Sequence, residues 1–389
     1  MAISEIGVGE NVSGLKQRVL YALEINSADA KTYGVPPVTS GTTYTGSNLN
    51  TASFGVIGQL QGDVNFNIDN QLMEIHEAGR INVRNILEKA VNVTVSNVDY
   101  YPTDMIFALA CIGDYDIESP DEVGSLTPSL YTHYGGINDA TSTYTNPVEY
   151  DAQSFSLNIG LEGQDEAVLF TGCKSEGITI TLNMDEPMKI SVDTITARKP
   201  YLLSSADCDL DAGFVHANSP PFMYHAGGTP SLDGTTLGNV TELTVAIKNN
   251  LNPVFGMIRT SDKRLLTSLL QGQRSVTGTL TMNYKDDEFV KYLLSYDGTG
   301  TEPSTSGVKE FDSYILVDNR DTTGYTTGAP NTNYRALRID VEDMKLGSVE
   351  RSYPKDGKQI TETFNYTAKN VKLSDWNNSS SNGFWIISK

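Results

Sequence analysis

Residues 243–251 read Leu243-Thr244-Val245-Ala246-Ile247-Lys248-Asn249-Asn250-Leu251, and residues 276–282 read Val276-Thr277-Gly278-Thr279-Leu280-Thr281-Met282. Apolar side chains alternate with small or polar ones in both runs, the period of a strand with one buried face. Asp287-Glu288-Phe289-Val290-Lys291-Tyr292-Leu293-Leu294 follows with helical spacing, and its acids suit the free N–H groups and positive end of a short helix. The order strand, Asn-containing turn, strand, helix occurs twice. The first copy runs VNFNIDNQL at 64–72, Val91-Asn92-Val93-Thr94-Val95, then a helix from Asp104 to Cys111, after Pro102 and with Thr103 as N-cap. Ile68, Asn70 and Leu72 correspond to Ile247, Asn249 and Leu251, and the copies close with TITARK at 194–199 and NYTAKN at 365–370.

Working outward, the same alternation appears at 155–159, 178–182, 337–341 and 361–368, and more loosely at 189–195. These runs predict a mainly β chain of antiparallel sheets, each with one buried face. The expected architecture is two tandem β-sandwich domains, each with a short flanking helix. The expected division is an N-terminal arm with a first strand (residues 1–50), a first domain at 51–203 and a second at 204–389. Residues 32–62, 114–151, 299–309 and 318–333 read as long irregular loops, of the kind that order against a partner.

The chain has 389 residues with 28 Lys plus Arg against 48 Asp plus Glu, a net charge of −20, which argues against wrapping a nucleic-acid backbone. It leaves open a surface past which nucleic acid slides without sticking. Cys111, Cys173 and Cys208 are too few and too scattered for a disulfide framework or structural zinc. The opening residues show no secretory pattern, and the longest apolar run (105–112) is far short of a membrane span, so the expectation is a soluble protein made in a cytoplasm.

Chemistry is hard to find. There is no phosphate-binding loop, nucleophile elbow or HExxH helix. His76, His133, His216 and His225 sit among turn residues and read as surface groups. The acidic pairs Asp114/Asp116, Asp121/Glu122 and Asp286/Asp287/Glu288 are what a chain this acidic yields by chance, and Asp287 has a structural role at a helix start. Asp207-Cys208-Asp209-Leu210-Asp211 is an incomplete calcium loop. The Asn-x-Ser/Thr sites at Asn11, Asn92, Asn239 and Asn365 read as coincidence. No catalytic, cofactor or metal residue is therefore expected, and no enzymatic activity.

The stretch 240–294 resembles the tail tube (major tail) proteins of long-tailed, siphovirus-like viruses. The residues that carry the likeness are the strand and turn Val245 to Val254, the loop and Gly-containing strand Gln271-Gly272-Gln273-Arg274-Ser275-Val276-Thr277-Gly278-Thr279-Leu280, and the cap Asp286-Asp287-Glu288-Phe289. The opening strand Val19-Leu20-Tyr21-Ala22-Leu23-Glu24, with Thr32-Tyr33-Gly34 after it, is similar to the family's first strand and its Glu…Tyr-Gly pattern. In the first copy Asp69-Asn70-Gln71 stands where the second has Lys248-Asn249-Asn250.

The resemblance implies a structural virion protein whose rings stack into a hollow tube, with strands closing an inner β-barrel and a long loop and terminal arm reaching the next ring. Six domains per ring imply three copies of a duplicated chain, a pseudo-hexamer. It implies contacts with itself, with a tape measure protein inside the tube, and with tail terminator and distal tail proteins. DNA would pass through the lumen without specific binding, helped by carboxylates facing it, and no membrane is involved. Two other readings compete: a capsid decoration or adhesin protein, and a carbohydrate-active enzyme on a β-sandwich. The second is weakened by having only two tryptophans, Trp376 and Trp385.

Overall fold

Alternating strands with one apolar face must bury that face against another layer, and here they do so in two antiparallel sheets around one main core. The computed structural model describes residues 17–24, 33–41, 43–76, 83–102, 106–112, 114–118, 132–136, 154–161, 167–203, 231–232, 235–236, 240–255, 264–294, 307–318, 336–356 and 359–375. Strands dominate; the α-helices among the described residues are Ile106–Ile112 and Glu288–Leu294, at the two predicted places.

One sheet runs in the order Gly55–Val56, Gln17–Leu23, Phe155–Leu161, Ala167–Ser175, Ile195–Ala197, Val83–Val95, Phe66–His76. The opening strand Gln17–Leu23 therefore lies inside a sheet, with Val19, Leu20, Tyr21 and Ala22 buried. The larger sheet is continuous across both halves. Its centre runs Ala336–Ser352, Thr361–Ala368, Ser275–Asn283, Val240–Lys248, Gly177–Asn183, Lys189–Val192, Val98–Tyr101.

The duplication is visible residue by residue in the registers. Ile68 faces Val93 and Ile247 faces Val276. Thr94 faces Thr196, which faces Lys174; Thr277 faces Thr367, which faces Lys345. Cys173 then faces Phe155, and Met344 faces Phe311. Each helix seats one ring edge-on against that phenylalanine: Phe107 on Phe155 at 5.2 Å, and Tyr292 on Phe311 at 5.4 Å.

The copies differ in continuity. Thr361–Ala368 is one unbroken strand, whereas its counterpart splits into Lys189–Val192 and Ile195–Ala197 at Asp193-Thr194. That break explains the looser alternation at 189–195. Bonds from the Glu176 N–H to the Thr194 carbonyl and from the Asp193 N–H to the Gly177 carbonyl bridge it. Two stretches read as irregular contain structure. Residues 32–62 hold a 3₁₀ turn at Thr51–Ser53 and the short strands Gly55–Val56 and Gln59–Leu60. Residues 114–151 hold the pair Asp114–Glu118 and Thr132–Gly136, the latter joined to Asn370–Asp375 of the other half. Pairing with a distant edge orders those residues, and a local pattern cannot show that.

Candidate assembly surfaces

The joint between the halves is a strand pair. Gly177–Asn183 lies antiparallel to Val240–Lys248, with Gly177 facing Lys248, Ile178 facing Ile247, Ile180 facing Val245 and Asn183 facing Glu242. Gly177 has a reason to lack a side chain, since a Cβ there would sit 2.2 Å from the Ile247 carbonyl oxygen. Asn249 locks the joint. Its buried Nδ2 donates to the carbonyls of Cys111, in the last turn of the first helix, and Ser175, at 2.7 and 3.1 Å. Its own N–H donates to the Glu176 carbonyl. Asn250 takes a left-handed φ of +49° as the chain turns into the hairpin Leu251–Val254 and Ser268–Gln271. That hairpin is held on the first half by Lys174 Nζ and Arg198 Nε, which donate to the carbonyls of Leu269 and Leu266.

Among the described residues, the matching edge of each half has no strand beside it. Phe66–His76 ends its sheet, and among the described residues its outer edge has no strand beside it. Among the described residues, 348–352 pair with Thr361–Ala368 on one side only; the pairing with Glu310–Asp318 on the other side ends at Lys345. Phe66 and Ile68 are 44% and 41% exposed, while their counterparts Val245 and Ile247 are 0% exposed. Leu72, Met73, Ile75, Ile86 and Leu87 are further exposed apolar side chains along the hairpin Phe66–His76 and Val83–Val95. Apolar side chains exposed beside an edge that no strand covers are what an interaction site presents. Lys345 and Lys369, the counterparts of Lys174 and Arg198, sit at the surface against Glu310, at 2.9 and 3.5 Å.

The Glu…Tyr-Gly pattern becomes a buried knot. Glu24 accepts the N–H groups of Gly34 and Gly172, both at 2.6 Å, and the Ser156 hydroxyl at 2.8 Å. Burial pushes its carboxyl above the ordinary value, against those hydrogen bonds. Gly34 and Gly172 have φ of +76° and +64°, and a Cβ on either would strike Arg198. Gly278, the glycine within the alternating strand, leaves room for Tyr366 to lie across it and donate its hydroxyl to the Thr244 carbonyl at 2.7 Å.

The open face of the shared sheet is hydroxyl-rich. Thr244 and Thr279 hydroxyls bond at 2.8 Å, Thr281 and Thr363 at 3.1 Å, and the Asn365 amide donates to the Ser348 hydroxyl. Charges on that face include Asp99, which is tied to Lys189 at 2.5 Å.

Asp287 stands at the helix start as expected, and it also accepts from Arg351 Nη2 at 2.7 Å; that bond holds its carboxyl below the usual range. Arg351 also grips the buried Glu362, a tie that spacing alone did not reveal. Among the described residues no cluster of His, Cys, Asp and Glu could hold a metal, and no helix is long and apolar enough to cross a membrane. Cys111 and Cys173 are buried thiols, and Cys111 is pushed up to about 12 by burial. His216, His225, Asp121/Glu122, the 207–211 motif and both tryptophans lie outside the described residues. A family model described as phage tail tube protein matches residues 43–368, most of the chain and both copies. No curated protein matches the chain.

Proposed function

The chain belongs to the phage tail tube protein family, and from that premise we propose that three copies close into a pseudo-hexameric ring whose stacking builds the DNA-conducting tube of a sheathless, siphovirus-type tail. Membership itself makes the protein a structural component of the virion tail that assembles with itself into a tube.

One observation carries the proposal. Two equivalent units already stand edge to edge in a single sheet, joined by seven residue pairs. Repeating that joint between chains closes a barrel and removes the exposed edges, which are otherwise an aggregation hazard. The hydroxyl-rich face then lines the lumen. Threonine hydroxyls and amides already bonded to one another offer phosphates no cationic grip. Passage without sticking thus depends on a hydroxyl-rich lining whose lysines are paired with carboxylates, Lys189 with Asp99 and Lys345 with Glu310, more than on the excess of lumen carboxylates expected from the net charge of −20. The tape measure protein would occupy that lumen before DNA does, and terminator and distal tail proteins would cap the ends. Chains would be made in the host cytoplasm and assemble there.

Negative-stain electron microscopy of the purified protein, dilute and then concentrated or gently warmed, tests this. Hollow tubes of uniform width with an axial repeat are expected. Discrete particles that never stack, even with an added tail initiator, would move the protein to a decoration or adhesin role.

A further inference from the structure

The two halves are the same unit in two states: one has its neighbour, the other waits for it. The first half presents Gly177–Asn183, and the second half covers it with Val240–Lys248. The second half presents the equivalent segment 348–352 with an open outer edge, and the first half carries the equivalent covering strand, Phe66–His76, also open. The registers fix the correspondence. Lys174 and Lys345 occupy one position, as do Ile68 and Ile247. Counted on along the strand, through the register shift between Leu346 and Ser348, these make Val349 the counterpart of Ile178 and Arg351 that of Ile180; Val349 faces the buried Phe364 as Ile178 faces the buried Val192.

We infer that a second copy of this chain docks on the 348–352 edge through residues 65–69, with Val349 facing Ile68 and Arg351 facing Phe66. This deepens the ring reading and rests on it. The within-chain joint serves as the template, where Ile178 faces Ile247 and Ile180 faces Val245.

Three features of the free chain then acquire a reason. Phe66 and Ile68 are exposed because the helix and sheet that would cover them belong to the next chain; Val245 and Ile247, which have that cover, are fully buried. Asn70 is exposed and only accepts from Arg264 Nη2, at 3.0 Å. Its counterpart Asn249 is buried and donates to the first helix's last turn. In the ring, Asn70 takes the same place at the C-terminal end of the next chain's Glu288–Leu294 helix. Lys345 and Lys369 are held by Glu310, and Lys369 also by Asp343 at 3.2 Å. Their counterparts Lys174 and Arg198 hold a hairpin's carbonyls. The two lysines are therefore positioned to exchange Glu310 for the neighbour's hairpin, the one that bears Leu72, Met73, Ile86 and Leu87. The interface is head-to-tail, so the chains close into a ring only if the rotation at this joint matches the one within the chain.

The test is cross-linking. Residues facing each other in an antiparallel pair have Cα atoms roughly 4.5–5.5 Å apart, within disulfide reach. The double variant Ile68→Cys with Val349→Cys is assembled and oxidised with copper–phenanthroline. The expected product is a covalent closed trimer, absent from dilute monomer and far weaker for the shifted pair Phe66→Cys with Val349→Cys. Hydrogen exchange on the unsubstituted chain reads the same contact without mutation. Amides of 65–69 and 348–352 should slow by at least about a hundredfold on assembly. The reversal Lys345→Glu with Lys369→Glu, at exposed positions, should raise the concentration needed for assembly by about tenfold. Rings or tubes that form with neither cross-link nor protection would overturn this pairing and leave the tube reading intact. A wild-type chain that stays monomeric at every concentration would overturn both.

Discussion

Gly278 offers the sharpest single-residue test of how the second half is packed. It faces Val245 on one side and Tyr366 on the other, so the Tyr366 side chain must cross it to reach the Thr244 carbonyl. A Cβ at residue 278 would lie 2.0 Å from that carbonyl oxygen and 2.4 Å from the tyrosine hydroxyl. Gly278→Ala must therefore push the strand and evict the hydroxyl. Overpacking costs about 1–3 kcal/mol. A buried hydroxyl without its partner costs about 1–3 kcal/mol more, and the lower chain entropy of alanine returns about 0.4–1 kcal/mol. The net loss is about 2–4 kcal/mol. With a urea slope of about 3 kcal/mol/M, the midpoint falls by about 1 M. Tyr366→Phe removes only the hydroxyl and should lose about 1 kcal/mol. The double variant should recover only part of the Gly278→Ala loss, because the Thr244 carbonyl is backbone and still in the way. Urea titration by circular dichroism reads all three. A Gly278→Ala midpoint within about 0.2 M of wild type would refute this account of the glycine.

Asn249→Ala should cost about 2–3 kcal/mol, because the Cys111 and Ser175 carbonyls lose a buried donor; the check is faster hydrogen exchange at 177–183 and 240–248. Glu24→Gln turns an amide donor toward the N–H groups of Gly34 or Gly172 and should lose about 1–3 kcal/mol at neutral pH. Glu24 is raised above its ordinary 4.5 by burial, so its contribution grows as pH falls through the raised folded value toward 4.5 and is lost as pH rises through it. The melting-temperature gap between wild type and Glu24→Gln should thus widen on mild acidification; a narrowing would contradict the assignment. Cys111 and Cys173 should resist iodoacetamide at pH 8 until the chain unfolds, as peptide mapping by mass spectrometry would show.

The alternation of residues 243–251 and 276–282 was enough to place strands, because a period of two is a local property. The repeat was legible for the same reason: Ile68, Asn70 and Leu72 keep the mutual spacing of Ile247, Asn249 and Leu251, and a strand and then a helix follow each in the same order. What the pattern could not show is who covers whom. Phe66 and Ile68 alternate as well as Val245 and Ile247 do, yet only the second pair is buried, because burial depends on a strand some 65 residues away in the chain or on another chain altogether. The break at Asp193-Thr194 left only a slip of phase between Val192 and Ile195, the looser alternation at 189–195, because either side of it alternates correctly. The strand Thr132–Gly136 was hidden because one of its two partners, Asn370–Asp375, lies in the other half. In the sequence Asn249 reads as a turn residue; its buried role appears only once the first helix's last turn is placed against it.

The proposed ring repeats the joint within each chain between chains, three chains to a ring. Cryo-electron microscopy of assembled tubes, refined without imposing sixfold symmetry, tests it most directly. The account predicts threefold rings in which first and second halves alternate around one closed sheet, with residues 65–69 of each chain beside 348–352 of the next. Six chains per ring, or one half lining the lumen while the other stands outside it, would contradict it.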